Sequence, residues 1–326
     1  MDRGQAADGI GKRPGTSRPM KYAYLGPSGT FTEAALLQVE GAADAERIPA
    51  ANVNVALSMV RDGDVDAAVV PIENSVEGGV SATLDSIATG QSLQIIAEIL
   101  VPITFVLAVR EGIEDLSQIK QVSTHGHAWA QCRLWAEANI PGAVFSPASS
   151  TAAGALGLLD PEQHHDAAIC SPLVAEERGL KVLVRGVEDN LGAVTRFILV
   201  TTEGKIPAMT GVDKSTLILP LAEDRPGALM GILEQFTARG VNLSRIESRP
   251  TGEGLGKYFF SVDVEGHVGE ERVAAALSGL HRLCPELRFL GSYPAAQGAA
   301  PFIDTHNSDE AFIDARGWIQ SLRDRL

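Results

Sequence analysis

The stretch Asp189-Asn190-Leu191-Gly192-Ala193-Val194-Thr195-Arg196-Phe197 sets a hydroxyl, a guanidinium and an aromatic ring directly after a polar turn. Ile198-Leu199-Val200 follows, β-branched and apolar, and reads as a buried strand. Polar chemistry is thus parked at the mouth of a rigid strand, where a binding or catalytic group is well held. The Thr195 hydroxyl is a proton donor. The Arg196 guanidinium is a planar fork that suits a carboxylate. A second candidate is Gly26-Pro27-Ser28-Gly29-Thr30, a glycine turn that feeds a helix. Thr30 with Glu33 makes a capping-box pattern, and the N–H groups at such a helix start suit an anion. A third is Glu73-Asn74-Ser75, a polar loop just past a short apolar strand that Pro71 ends. In open α/β sheets that edge is where ligands sit.

The elements that must position these groups alternate. Strands are expected over 22–25, 67–70, 93–100, 104–110, 122–124, 167–169 and 182–184. Helices are expected over 31–39, from an Asn54 cap to Val60, and over 81–88, 128–138 and 151–159. This is an α/β region ending near Val200. Residues 204–213 carry Gly and Pro with few apolar anchors and read as a linker. Beyond them the order becomes β-α-β-β-α-β: strand 215–221, helix 226–239, strands 242–249 and 256–264, helix 270–282, strand 287–293. That is the ferredoxin-like split motif. Asp224 is a candidate cap for its first helix. Phe312, Ala315, Ile319, Leu322 and Leu326 form a narrow helical seam for packing on the domain or on a second subunit.

Composition excludes several classes. The chain has 326 residues, 45% of them hydrophobic, which fits two or three globular domains. No apolar run reaches the roughly 20 residues of a membrane span. A formal charge of −14 argues against a general nucleic-acid binder but leaves room for a small anionic ligand. Cys132, Cys170 and Cys284 are too scattered for a disulfide framework or a zinc site. His164-His165 sit in a polar loop with no ligand set around them, and no metal is expected. Residues 1–20 are rich in Gly, Arg and Pro and read as a disordered tail, so a cytoplasmic location is expected.

Taken in order, Gly26-Pro27-Ser28-Gly29-Thr30-Phe31-Thr32, Pro71-Ile72-Glu73-Asn74-Ser75, Thr124-His125, Ser149-Ser150-Thr151-Ala152-Ala153 and Thr195-Arg196-Phe197 closely resemble motifs of the prephenate dehydratase family. Gly227-Ala228-Leu229 and Glu247-Ser248-Arg249-Pro250 resemble the phenylalanine-sensing motifs of its ACT regulatory domain. The resemblance runs from residue 21 to about 294. It implies a two-lobed, periplasmic-binding-protein-like catalytic domain over 21–203, followed by the linker, a ferredoxin-like ACT domain over 214–294 and a tail with a helix over 295–326. Lobe one would take about 21–102 and 188–203, and lobe two about 103–187.

The implied reaction turns prephenate into phenylpyruvate, carbon dioxide and water, without metal or organic cofactor. Thr195 matches the family's catalytic threonine and would hydrogen-bond the departing hydroxyl. Arg196 would hold a substrate carboxylate or brace the strand, and Asn74 and Ser75 would line the opposite wall. Gly29, Thr30, Thr124, His125, Gln131, Ser150, Thr151 and Phe197 would surround the substrate. L-phenylalanine would bind as feedback inhibitor between two ACT domains, in a dimer or tetramer. Its contacts would come from Gly227, Ala228, Leu229, Asn242, Leu243, Glu247, Ser248, Arg249 and Pro250. Two positions depart from the family's pattern: His127 stands where an amide is usual, and Ala193 where an Asn is usual. An arogenate dehydratase and a non-enzymatic amino-acid sensor remain as alternatives.

Overall fold

A computed structural model describes residues 19–221, 225–252, 254 and 257–326. The tail expected over 1–20 therefore lies almost wholly outside the described residues, as do the Asp224 cap and the Gly256 strand start. Contacts divide the chain into two units. One takes the described residues up to Val80 and Ile99–Phe197; the other takes Ser81–Glu98 and Ile198–Leu326.

The chain runs through β1 (Lys21–Leu25), α1 (Phe31–Leu36), β2 (Glu46–Ala50), α2 (Val53–Arg61), β3 (Ala67–Asn74), β4 (Gly78–Gly79), α3 (Ser81–Ala88) and β5 (Leu93–Pro102). It continues as β6 (Val106–Val109), β7 (Gln121–Thr124), α4 (Gly126–Gln131), α5 (Arg133–Asn139), β8 (Val144–Pro147), α6 (Thr151–Leu156), β9 (Ala167–Cys170), α7 (Pro172–Glu177), β10 (Lys181–Arg185) and β11 (Val194–Thr202). Two sheets result, ordered β2-β1-β3-β11-β5, with β4 on β3, and β10-β6-β9-β7-β8. The chain passes from the first to the second between Pro102 and Val106 and returns between Arg185 and Val194. The two crossings run side by side: Ile103 N donates to Ala193 O at 2.7 Å, and Phe105 N to Glu188 Oε2 at 2.8 Å.

Strand alternation builds the core of the second sheet. Leu107, Val109, Ala167 and Ile169 face one apolar cluster, with Ala128, Cys132 and Ala136 of the helical segment. Val106, Ala108, Ala168 and Cys170 face the other, with Ala152 and Ala155 of α6 and Val174 of α7. Both faces are covered, so these strands read as unbroken apolar runs rather than alternating ones. Burial raises the thiol pKa of Cys132, and pushes that of Cys170 up to about 12, which leaves both as small core residues.

Several elements differ from expectation for local reasons. The α2 cap is Asn52, not Asn54: its side chain accepts the Val55 N–H at 3.0 Å. β3 runs on through Pro71, because its register with β1 ends at Val69 and the missing N–H breaks no bond of that ladder. The helix expected over 128–138 is two helices parted at Cys132. Asp189, far along the chain, takes the Leu134 and Trp135 N–H groups at 3.0 and 2.8 Å and so starts α5 afresh. β2 and β8 were not expected at all. Their sequences, ERIPA and VFSP, carry no apolar run or clean alternation.

In the second unit β12 (Asp213–Pro220), α8 (Ala228–Thr237), β13 (Leu243–Pro250), β14 (Tyr258–Glu265), α9 (Glu271–Leu283) and β15 (Arg288–Pro294) form a sheet ordered β13-β14-β12-β15. All three pairings are antiparallel. Leu217, Leu219, Val262 and Val264 face Ile232 and Phe236 of α8 and Val273, Ala276 and Leu280 of α9. The segment 81–98 belongs to this unit through its side chains. Arg249 meets Asp85 at 3.0 and 2.8 Å, Lys214 meets Glu98 at 2.9 Å, and Gln94 holds Gly204 N at 2.8 Å. α10 (Asp309–Arg323) lies last. Ile319 and Leu322 of its seam are 40% and 38% exposed on the single chain, so of the two expected packings the one on the domain is not made by these residues. Polar contacts of Arg316 and Asp309 with Glu271 attach it instead. No described helix is long and apolar enough to cross a membrane.

The Asp189 carboxylate is a helix cap supplied from a distant loop, so Asp189→Ala should lower folding stability by about 1 kcal/mol. Chemical denaturation checks this. An unchanged midpoint and slope would mean the cap contributes nothing.

Candidate active site

The end of β3 is fastened to the start of β11 twice. Ser75 N donates to Val194 O, and Val194 N donates to Ser75 Oγ, both at 2.9 Å. This double clamp sets Asn74 beside Thr195, and Asn74 Nδ2 lies 2.8 Å from Thr195 Oγ1. The orientation of the Asn74 amide follows from its other end. Oδ1 accepts the Val76 and Glu77 N–H groups at 2.8 and 3.1 Å, which an NH₂ group could not do. Asn74 is therefore the donor and the Thr195 oxygen the acceptor. The Thr195 proton is left for another partner.

Thr195 is 8% exposed, and what it exposes faces a cavity of about 280 Å³. Ile103, Phe31 and Phe105 supply apolar wall, the two rings meeting edge to face with centroids 5.4 Å apart. Polar groups enter from α4 and from the turn before α6: His125, His127, Gln131, Ser149, Ser150 and Thr151. His125 caps α4, its Nδ1 accepting the His127 N–H at 3.3 Å. Burial, then the neighbouring His127, lowers its pKa against a smaller opposing pull from Glu77. The neutral ring so favoured carries its proton on Nε2, a donor. The His127 ring stacks on it at 5.2 Å, and His127 Nδ1 lies 3.2 Å from Glu77 Oε2. Gln131 Nε2 donates to Glu77 Oε1 at 3.1 Å.

Not every expected residue reaches this cavity. Arg196 follows Thr195 on a strand, so it points to the other face, where it is 6% exposed with Glu73 at 3.5 Å. Of its two expected roles, the geometry supports bracing the strand. Phe197 is buried in the sheet, and Ser75 is spent on the clamp. Thr124 is fully buried, its hydroxyl donating to Ile169 O at 2.6 Å. The Gly29 N–H, expected to face an anion, donates to Glu33 Oε2 at 2.7 Å. Gly29 has φ +86°, and a Cβ there would lie 2.5 Å from Val174 Cβ, so glycine serves the close approach of α7. Thr30 lines the cavity, but its hydroxyl donates to Leu25 O at 2.7 Å. Ser150 caps α6 through Ala153 N at 2.9 Å. The apolar wall residues Phe31, Ile103 and Phe105 are not among the expected site residues, whereas His127, marked in the sequence as standing where an amide is usual, does line the cavity.

The second unit holds its own cavity of about 300 Å³ at the start of α8. Gly227, Ala228, Leu229 and Ser248 line it with Arg225, Tyr258 and Phe260. Gly227 has φ +85°, and a Cβ there would meet nothing within 4 Å, so its backbone conformation is what requires glycine. Glu247, Arg249, Pro250, Asn242 and Leu243 do not line this cavity. Arg249 is turned to Asp85, Glu247 lies 4.0 Å from Arg245, Asn242 O accepts the Glu265 N–H, and Leu243 packs on the core. Pro250 pairs with Tyr258 at the end of β13.

Comparison with known proteins gives this architecture its place. Residues 22–205 match the family model for prephenate dehydratase, and residues 216–282 that for the ACT domain. The prephenate dehydratase of Amycolatopsis methanolica is 43% identical over 304 residues, 93% of this chain and 98% of its own. A solved structure of the prephenate dehydratase of Arthrobacter aurescens in complex with L-Phe is 61% identical, with a TM-score of 0.89 over 94% of this chain and all of that one. The Staphylococcus aureus prephenate dehydratase structure is 26% identical, with a TM-score of 0.72 over 84% of this chain and 100% of its own. With a match of that extent on both units, the chain belongs to the prephenate dehydratase family.

Proposed function

We propose that the chain converts prephenate to phenylpyruvate, carbon dioxide and water in the first cavity. The observation that carries the reading is the oriented Asn74–Thr195 hydrogen bond at an aromatic-walled cavity. In this reaction the bond to the ring carboxylate breaks. Its electron pair aromatises the ring and expels the ring hydroxyl, which leaves as water once protonated. A hydroxide is a poor leaving group, so a hydrogen bond that strengthens as charge develops on it lowers the barrier. Thr195 supplies that bond, and Asn74 fixes its direction. Phe31 and Phe105 accommodate the ring. His125, Gln131, Ser150 and Thr151 line the same cavity and would hold the two carboxylates.

The second cavity is read as the site of L-phenylalanine, acting as feedback inhibitor. In the first turn of α8 the Ala228 N–H donates to Arg225 O at 3.1 Å, which leaves the Leu229 and Met230 amides, without intrahelical partners, for a carboxylate. Phe260 and Leu229 offer apolar wall to a ring. Self-association fits the same unit. β13 is an edge strand, and Glu247 and Pro250 lie on it away from the cavity, where a second copy would bring them to a ligand.

Thr195→Ala should keep its circular dichroism and melting temperature yet lose about 10²–10⁴-fold in kcat for prephenate. Thr195→Ser should retain much of the rate. Near-normal turnover by the alanine variant would remove Thr195 from the chemistry. Arogenate, run in parallel, sets the substrate preference.

Gly227→Ala forces a side chain into a left-handed conformation that strains the α8 start. Its inhibitory concentration for phenylalanine should rise at least about tenfold, the equivalent of 1.4 kcal/mol of lost anchoring. Equal, purely competitive inhibition of both proteins would place phenylalanine at the catalytic cavity instead.

A further inference from the structure

We infer that Glu77 is a positioning residue for the Thr195 proton donor, acting through Asn74, and that His127 and Gln131 of α4 form the clasp that holds it. The inference rests on the dehydratase reading above.

The chain of contacts is continuous. Glu77 lies in the loop between β3 and β4, three residues after Asn74. One oxygen of its carboxylate accepts from Gln131 Nε2 at 3.1 Å. His127 Nδ1 lies 3.4 Å from that same oxygen and 3.2 Å from the other. The imidazole is itself steadied by stacking on His125, whose ring is held by the α4 cap bond. α4 thus grips the side chain of Glu77 while the main-chain N–H of the same residue, with that of Val76, points at Asn74 Oδ1.

What this grip controls is the sense of one hydrogen bond. While the two loop amides address Oδ1, Asn74 can present only its NH₂ to Thr195, and the threonine proton is free to face the cavity. Were the loop released, the amide could turn over. Its oxygen would then accept from Thr195, and the proton needed by the leaving group would point at Asn74 instead. Glu77 never has to touch the substrate for its loss to reach the chemistry. Nor should its loss disturb the fold much. The side chains of Glu77 and His127 are 44% and 70% exposed, and exposed ion pairs contribute little to stability. The clasp asks for a donor of the right reach, which a glutamine amide also supplies.

The test is a mutant cycle on the full chain, reading kcat with prephenate alongside thermal melts. Glu77→Ala should lower kcat about tenfold or more in the native background but less than about twofold in the Asn74→Ala background, because the path to Thr195 is already cut there. The melting temperature should hardly move. A native kcat in Glu77→Ala, or an equal factor in both backgrounds, overturns the inference. Should Glu77→Ala fail to fold, His127→Ala carries the same cycle. It should lower kcat in the native background alone, and His127→Gln should restore it. A native rate in His127→Ala, or no rescue by glutamine, overturns the inference equally. Failure of the reading beneath it looks different: Thr195→Ala and Asn74→Ala would themselves turn over normally.

Discussion

The Asn74–Thr195 hydrogen bond is a directional constraint on which the proposed chemistry depends. A threonine hydroxyl can donate or accept, and only one choice leaves its proton facing the cavity. The molecule makes that choice by filling the other end of the asparagine with two backbone amides. Everything upstream serves to hold those few atoms. The Ser75 clamp joins β3 to β11, β11 sits inside the first sheet, and Ile198, Leu199 and Val200 of that strand are fully buried. A reversed bond at this point would turn the Thr195 proton from the cavity toward Asn74.

The arrangement explains why neighbouring residues of one motif do different things. Thr195 and Arg196 are adjacent, and the pleat sends them to opposite faces. Thr195 meets the cavity; Arg196 is buried and paired with Glu73, where its charge braces the strand mouth. The same economy governs the turn at 26–30. Its glycine lets α7 approach, Ser171 Oγ donates to Gly29 O at 2.6 Å, and the N–H that an anion would use belongs to Glu33. The second unit is a separate construction with a separate pocket. The Asp85–Arg249 pair ties β13 to α3, the helix that follows the Asn74 loop in the chain.

Much of this was legible in residue types and order. The alternation of strands and helices, the change to β-α-β-β-α-β after the linker, and the polar residues at strand mouths are local signals, and the structure places Asn74, Thr195, His125, Gln131, Ser150 and Thr151 around one cavity. The period-2 rule also contained the fate of Arg196, since adjacent strand residues cannot share a face. Other features had no local signal. Phe31 and Phe105 meet across 74 positions of sequence. Asp189 restarts a helix more than fifty residues earlier. Glu77 reads as an ordinary loop carboxylate until the fold brings α4 beside it. Glycine marked the turn at 29 correctly, but whether a glycine admits a ligand or a neighbouring helix is decided by packing alone.

The most direct test of the account is the pH profile of Asn74→Asp, a near-isosteric change that replaces the donor with a group that donates only when protonated. With the carboxylate ionised, the Thr195 hydroxyl must turn its proton toward position 74. The account predicts a kcat far below native at neutral pH. It also predicts that the ratio to native rises as pH falls and the carboxyl regains its proton. A variant as fast as the native enzyme at neutral pH would contradict it, since the direction of the hydrogen bond would then be irrelevant to turnover.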